Sequence, residues 1–391
     1  MRSPAQSRGW PHPEPAFHPG EQALQARAGV GEHMSAIGAR VMRTAMPDEH
    51  RELFEKLPFL LLGALDAERR PWATALVGAP GFVRTPDATS LVVGALPLTE
   101  GALRLSLEPG APVGLLGIQP STRRRNRVNG VIRALGGDAL SVEVRQSFGN
   151  CPKYIQAREL EVVTATDAAP SVLGARLSAE AIAAIARADT FFIASAFPDA
   201  GLPQQAPSDG VDVSHRGGKP GFVHVDEVDG AMVLTAPDFS GNYFFNTLGN
   251  LALDPRAGLL FIDWQSGDVL TLTGTTEVVW DGPEVRAFAG AQRLLRIRVV
   301  EGRWLPGAMP LRATQVEYAS QLAATGSWDP TKEAPSGTYP GKASTRTGTP
   351  ESAALPESAS SICSSVRSLT LAPGFFCAVS SAIPGRSWPQ P

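Results

Sequence analysis

The chain repeats itself. "APGFVRT" at 79–85 answers to "KPGFVHV" at 219–225, an offset of 140. "GAPVGLLGI" (110–118) answers to "DPRAGLLFI" (254–262), and "RVNGVI" (127–132) to "TLTGTTEV" (271–278), both at an offset of 144. "LPFLLLGALD" (57–66) answers to "DTFFIASAFPD" (189–199) ahead of them in the same order. Four blocks at nearly one offset point to a duplication. The period is too long for a solenoid, whose units run to about 50 residues. The expectation is two copies of one domain, packed as a pseudo-symmetric pair inside one chain.

Each copy reads as β. From Phe59 the pattern is short apolar runs bounded by Gly, Pro and Asp: "FLLLGALD", "PWATALVG", "GFVRT", "SLVVGAL", "PVGLLGI", "NRVNGVIRAL" and "ALSVEVRQSF". Such repetition predicts a β-barrel. Helices are predicted ahead of each copy. "GEQALQARAGVGEHMSAIGARVMR" is broken by Gly29 and Gly31 into one or two short helices. "MPDEHRELFEKL" carries a stripe of Leu53, Phe54 and Leu57, and "LSAEAIAAIARA" (177–188) precedes the second copy.

The predicted organisation is a Pro-rich disordered lead (1–17), a helical segment (18–57), barrel 1 (58–165), a connecting helix (166–188), barrel 2 (189–324) and a low-complexity tail (325–391). The fold class expected is mainly β with short helices.

A hydrophobic content of 43% with 19% charged residues suits a packed soluble domain. A net charge of −3 argues against general affinity for nucleic acid. No apolar run reaches membrane-spanning length, and the N-terminus lacks an apolar signal core, so a cytoplasmic location is expected. Three scattered cysteines and six histidines without metal-ligand spacing predict neither a disulfide framework nor a metal site.

Several stretches resemble the flavin-binding split β-barrels related to pyridoxamine 5'-phosphate oxidase, and in particular a branch with two such barrels in tandem. They are "HPGE" (18–21), "PGFVR" (80–84), "GLLGIQPSTRRRNRVNG" (114–130), "FGNCPKYIQ" (148–156), "DVSHRGGKPGFV" (212–223) and "PDFSGNYFFNTLGNLALDPRAGLLF" (237–261). The resemblance covers residues 18 to about 320. Some members of that branch continue into a ferredoxin-reductase-like module; here only "SVRSLTLAP" (365–373) is similar to its start. The resemblance implies FMN in the cleft between two barrels, with one strand of one barrel reaching the flavin held mainly by the other. It implies a flavin-dependent oxidoreductase, with a small-molecule substrate or electron donor that the residues do not identify. The chain is expected as a monomer with an internal pseudo-dimer, or as a homodimer. The alternatives are a non-catalytic flavin or haem module, and a structural domain with a degenerate site.

A flavin phosphate needs cations, hydroxyl or amide donors and exposed backbone N–H groups. The second copy offers them. "SHRGGKPGFV" brings Ser214, His215, Arg216 and Lys219; "SGNYFFNTLGN" brings Asn242, Asn246, Thr247 and Asn250 at a helix start, where free N–H groups favour an anion. The first copy lacks these cations but carries "RRRNR" (123–127) where the second has "GDVLTL". The reading is one site, with Arg125 or Arg127 reaching across. Lys153 and Tyr154, behind Cys151 in "FGNCPKYIQ", complete the candidate set. Cys151 itself has no histidine near it in sequence to serve as a base, and its expected role is packing.

Overall fold

The seven apolar runs of the first copy form one antiparallel sheet in the computed structural model, which describes residues 9–166, 168–203 and 206–328. Three helices come first: α1 (Pro19–Arg27), α2 (Gly31–Val41) and α3 (Asp48–Lys56). The strands are β1 (Phe59–Leu65), β2 (Pro71–Val77), β3 (Val83–Asp87), β4 (Ser90–Val93), β5 (Pro112–Gln119), β6 (Arg124–Gly136) and β7 (Ala139–Gly149), in the order β2-β1-β5-β6-β7-β4-β3. Next come β8 (Ala157–Val162), β9 (Ser171–Leu173) and helix α4 (Ala179–Arg187). The second sheet contains β10 (Thr190–Ala196), β11 (Val211–Gly217), β12 (His224–Val228), β13 (Ala231–Phe239), β14 (Arg256–Ile262), β15 (Val269–Val279) and β16 (Ala291–Leu305). Helix α5 (Asn246–Leu253) precedes β14, and α6 (Pro283–Ala287) precedes β16. The strand order here is β11-β10-β14-β15-β16-β13-β12, the first order repeated nine strands on. The chain is thus mainly β, built as two tandem split barrels. Strand β17 (Leu311–Glu317) pairs back with β8, and β9 adds to β16.

The uninterrupted apolar runs follow from burial on both faces, since successive side chains of a strand point in opposite directions. On β1, Leu60, Leu62 and Ala64 enter the core of the first barrel, while Phe59 and Leu61 enter a second core shared between barrels. On β10, Phe191 and Ile193 point into the second barrel's core, and Phe192 and Ala194 into the shared one. The α3 stripe of Leu53, Phe54 and Leu57 packs into the first barrel.

The two copies meet reciprocally. A Cβ on Gly114 of β5 would lie 2.5 Å from the Val211 carbonyl of β11. A Cβ on Gly258 of β14 would lie 2.5 Å from the Pro71 carbonyl of β2, the equivalent contact in the other direction. Such an exchange of equivalent patches is what a two-fold interface produces. The duplication extends to irregularities: the β6–β7 register shifts at Asn129/Gly130, and the β15–β16 register shifts 144 residues later at Thr273/Gly274.

Within the lead expected as disordered, part of residues 9–17 is packed. Ala16 and Phe17 are buried with Met34, Met42, Phe148 and Phe244, and the Trp10 N–H donates to the Ala39 carbonyl at 2.8 Å. The reason is composition: Trp10 and Phe17 supply apolar surface that a Pro-rich reading overlooks. Residues 1–8 and the tail from 329, including the "SVRSLTLAP" stretch, lie outside the described residues. Among the described residues no helix is long and apolar enough to cross a membrane.

Candidate functional site

A cleft opens between the barrels. The first barrel contributes Arg125 and Arg127 of β6 and, from the loop after β7, Asn150, Cys151, Lys153 and Tyr154. The second contributes Ser214, His215 and Arg216 of β11, Asp238 and Phe239 of β13, Gln292 and Arg293 of β16, and Asn242 to Leu248 apart from Phe244. Ten of the twelve residues singled out from the sequence line it; Lys219 and Asn250 do not.

Lys219 is displaced because it follows the Gly217–Gly218 turn at the end of β11. Its ammonium donates to the Thr325 carbonyl at 2.6 Å. Asn250 lies one helical turn beneath the cleft, where its amide donates to Ser195 Oγ (3.2 Å) and Asp212 Oδ2 (3.0 Å).

The two arginines of β6 share a face, as a two-residue spacing dictates, yet their chemistry differs. Arg127 is buried and ion-paired: Nη1 donates to Asp212 Oδ1 at 2.9 Å, and Nη2 bonds Ser214 Oγ. Arg125 has no side-chain hydrogen bond or ion pair among the described residues, and its Nε is buried without a partner. Burial, followed by repulsion from Arg127, pulls its pKa down to about 9. A half-buried guanidinium in that state gains from an anion.

Opposite stand Arg216 and Arg293. Both pair with one carboxylate, Asp238, at 3.3 and 3.0 Å. The lining therefore carries five basic side chains against one acid, with Asp212 beneath neutralising only Arg127. His215 adds no charge, because burial and then the field of Arg125 hold its pKa well below the usual imidazole value. It is a neutral ring at physiological pH, which excludes it as a ready general acid there. Tyr154 stacks obliquely on Phe239 (5.1 Å between centroids), and burial with the Asp238 carboxylate raises its phenol pKa.

Helix α5 begins at the cleft. No side chain caps it, so the N–H groups of Asn246, Thr247 and Leu248 have no intrahelical acceptor, and all three residues line the cleft. Its N-cap, Phe245, is left-handed (φ 61°), as are Tyr243 (φ 60°) and Tyr154 (φ 63°). Half of the six left-handed non-glycine residues described thus line this cleft, and such conformations tend to gather at functional sites.

The positions related to these by the duplication carry neither the arginines nor the histidine. By register, Thr74, Ala75 and Leu76 stand for Ser214, His215 and Arg216, and Thr271 stands for Arg127. One polar pair is retained in both: Thr247 bonds Ser214 at 2.8 Å, and Thr99 bonds Thr74 at 3.0 Å.

Sequence reasoning missed Arg293, Asp238 and Asp212. Nothing in their local pattern sets them apart from other strand residues, and only the pairing of β16 with β13 and the crossing of β6 onto β11 bring them to the cleft.

No family profile matches the chain, and no curated protein does. Solved structures similar to it include HupZ from Group A Streptococcus (10% identity, TM-score 0.25, 32% of this chain and 92% of that one). A putative pyridoxamine 5'-phosphate oxidase from Lactobacillus delbrueckii matches at 13% identity and TM-score 0.24, over 33% of this chain and 93% of that one. HutZ, a haem storage protein from Vibrio cholerae, matches at 13% identity and TM-score 0.23, over 34% and 96%. The reading of the site rests on its own geometry.

Proposed function

We propose that the inter-barrel cleft binds FMN and that the chain is a flavin-dependent oxidoreductase with one flavin site. The carrying observation is that an unpartnered guanidinium, Arg125, lines the same cleft as the free N–H groups of α5. That donor set fits a phosphate, the one part of a flavin nucleotide that demands cations and backbone donors together. Buried orphan atoms at Asn150 Nδ2 and Arg216 Nε supply further donors for ring carbonyls or the ribityl chain.

In this reading the first turn of α5 and Arg125 hold the phosphate. Arg216 and Arg293, already tied to Asp238, keep the wall cationic and favour the ring when it is reduced and anionic. FMN supplies the electron chemistry when bound. The protein binds and orients it, and Tyr154 with Phe239 screens one side of the cleft from water. His215, neutral and close to the ring's polar edge in this reading, serves as a hydrogen-bonding group rather than a proton source.

His215 is also the observation that favours a second reading, since a neutral imidazole lining a cleft is suited to ligate haem iron. Absorption spectra separate the two. Purified protein titrated with FMN and, separately, with haem is expected to quench flavin fluorescence to saturation with one equivalent and to give no Soret shift. A Soret band lost on His215→Ala, with no flavin binding, would replace FMN by haem; a protein that binds neither is a structural barrel pair.

A further inference from the structure

Helix α1, from the N-terminal segment, crosses α5 at glycine-to-glycine distance. A Cβ on Gly20 would sit 2.2 Å from the Gly249 carbonyl, and one on Gly249 would meet Glu21. That approach delivers Glu21, 3% exposed, to the start of α5. One carboxyl oxygen closes the capping box of α1 by accepting the His18 N–H at 2.8 Å. Capping needs nothing more. Here the other oxygen accepts from the side-chain amide of Asn246, the first residue of α5. The next residue, Thr247, is tied to Ser214 of β11. The first turn of α5 is thus fixed by side-chain bonds from two other elements, and its N–H groups are left to the cleft.

We infer that Glu21 is a positioning residue for the anion end of the cleft: through Asn246 it holds the first turn of α5 so that the free N–H groups face the ligand. The inference rests on the anion-binding part of the proposed function, not on the flavin ring. Charge follows from the same geometry. Glu21 faces Asp212 of β11 and Arg127 of β6, and the neutral groups His18 and Asn246. Arg127 is already paired with Asp212. Burial first, and Asp212 second, raise the Glu21 pKa well above the ordinary carboxyl value. Protonated, Glu21 is a neutral strut. Ionised, it sets a second negative charge behind a helix N-terminus that has to receive an anion, which opposes binding. Anion binding therefore raises the Glu21 pKa further, and affinity falls as pH rises through its titration.

The test uses the full chain with three probes, FMN, riboflavin and inorganic phosphate, the last read by protection against thermal unfolding. Glu21→Ala and Asn246→Ala should each weaken FMN and phosphate about tenfold while leaving riboflavin within about twofold. Glu21→Gln, which keeps the neutral shape, should bind FMN well and lose the alkaline fall in affinity seen in the wild type. Circular dichroism verifies folding of each variant. If phosphate protects the wild type but FMN does not bind, the flavin reading fails, and the inference stands on the phosphate arm alone. Unchanged phosphate and FMN affinity in both alanine variants, or a wild-type pH slope in Glu21→Gln, overturns it. Wild type that binds neither FMN nor phosphate overturns both.

Discussion

Arg127 of the first barrel and Asp212 of the second form an ion pair at 2.9 Å, with side chains only 4% and 7% exposed. The pair crosses the inter-barrel boundary and lies directly under the cleft. Breaking it by removing one partner leaves a buried charge, at a cost of roughly 3–5 kcal/mol. Asp212→Ala is expected to be the worse change. It strands Arg127 near Arg125 and Arg216 and removes an acceptor of the Asn129 and Asn250 amides, whereas Arg127→Ala leaves Asp212 with both amide donors. Urea unfolding of the two variants and of Arg127→Met/Asp212→Leu checks this. The apolar double variant should recover most of the loss, and equal stability of all three would contradict the ion pair.

Arg125 and Lys219 make opposite predictions. Arg125→Ala should weaken FMN by about ten- to hundredfold, from loss of charge-assisted bonds worth roughly 1.5–3 kcal/mol. Lys219→Ala should leave FMN affinity unchanged, because its ammonium is engaged by the Thr325 carbonyl outside the cleft. Isothermal titration of both variants decides it. A large effect of Lys219→Ala with none from Arg125→Ala would reverse the assignment of the phosphate end.

The contrast between these two cations shows how far the sequence reaches. The strands were legible because turn residues bound every apolar run, and the duplication because Gly114/Gly258 and Gly130/Gly274 sit at a constant offset of 144. Ten candidate residues converge because the cleft is built from stretches that differ between the copies. What stayed hidden depends on tertiary contact. Lys219 is two residues from the lining residue Gly217, and only the turn decides that it points away. Arg125 and Arg127 have the same local pattern, and only the position of Asp212, 85 residues on from Arg127, makes one paired and the other free. Glu21 and Asn246 lie 225 residues apart, a distance no local pattern bridges.

Stability should fall on mild acidification. Burial lowers the pKa of His18 and of His50 from 6.5 to about 4, so between those values the unfolded chain binds more protons than the folded one. The stabilisation is complete above about pH 6.5 and is lost as pH falls toward 4, at up to about 1.4 kcal/mol per pH unit for each histidine. Glu21 opposes them: its raised pKa means the folded state holds an extra proton above pH 4.5. Urea midpoints from pH 7 to 4 should therefore decline more steeply in Glu21→Gln than in wild type. His50→Gln, whose amide can still face Ser147 in place of Nδ1, should flatten the decline. A profile that rises toward pH 4 would contradict the burial of both rings.

Gly114 and Gly258 test the reciprocal interface. In each, an added methyl meets backbone of the opposite barrel near 2.5 Å, and backbone cannot swing away as a long side chain can. Gly114→Ala and Gly258→Ala should each cost about 1–3 kcal/mol by overpacking. Their consequences for the cleft should differ, although the contacts are equivalent. Gly114 presses on Val211 and Asp212, and Asp212 anchors Arg127 and Asn250 below the site. Gly258 presses on Pro71 and Trp72, which do not line the cleft. At matched stability, Gly114→Ala should weaken FMN and Gly258→Ala should not. Thermal melts combined with FMN titration measure both quantities. Equal loss of affinity in the two variants would mean that the cleft responds to barrel separation as a whole rather than to the Asp212 anchor.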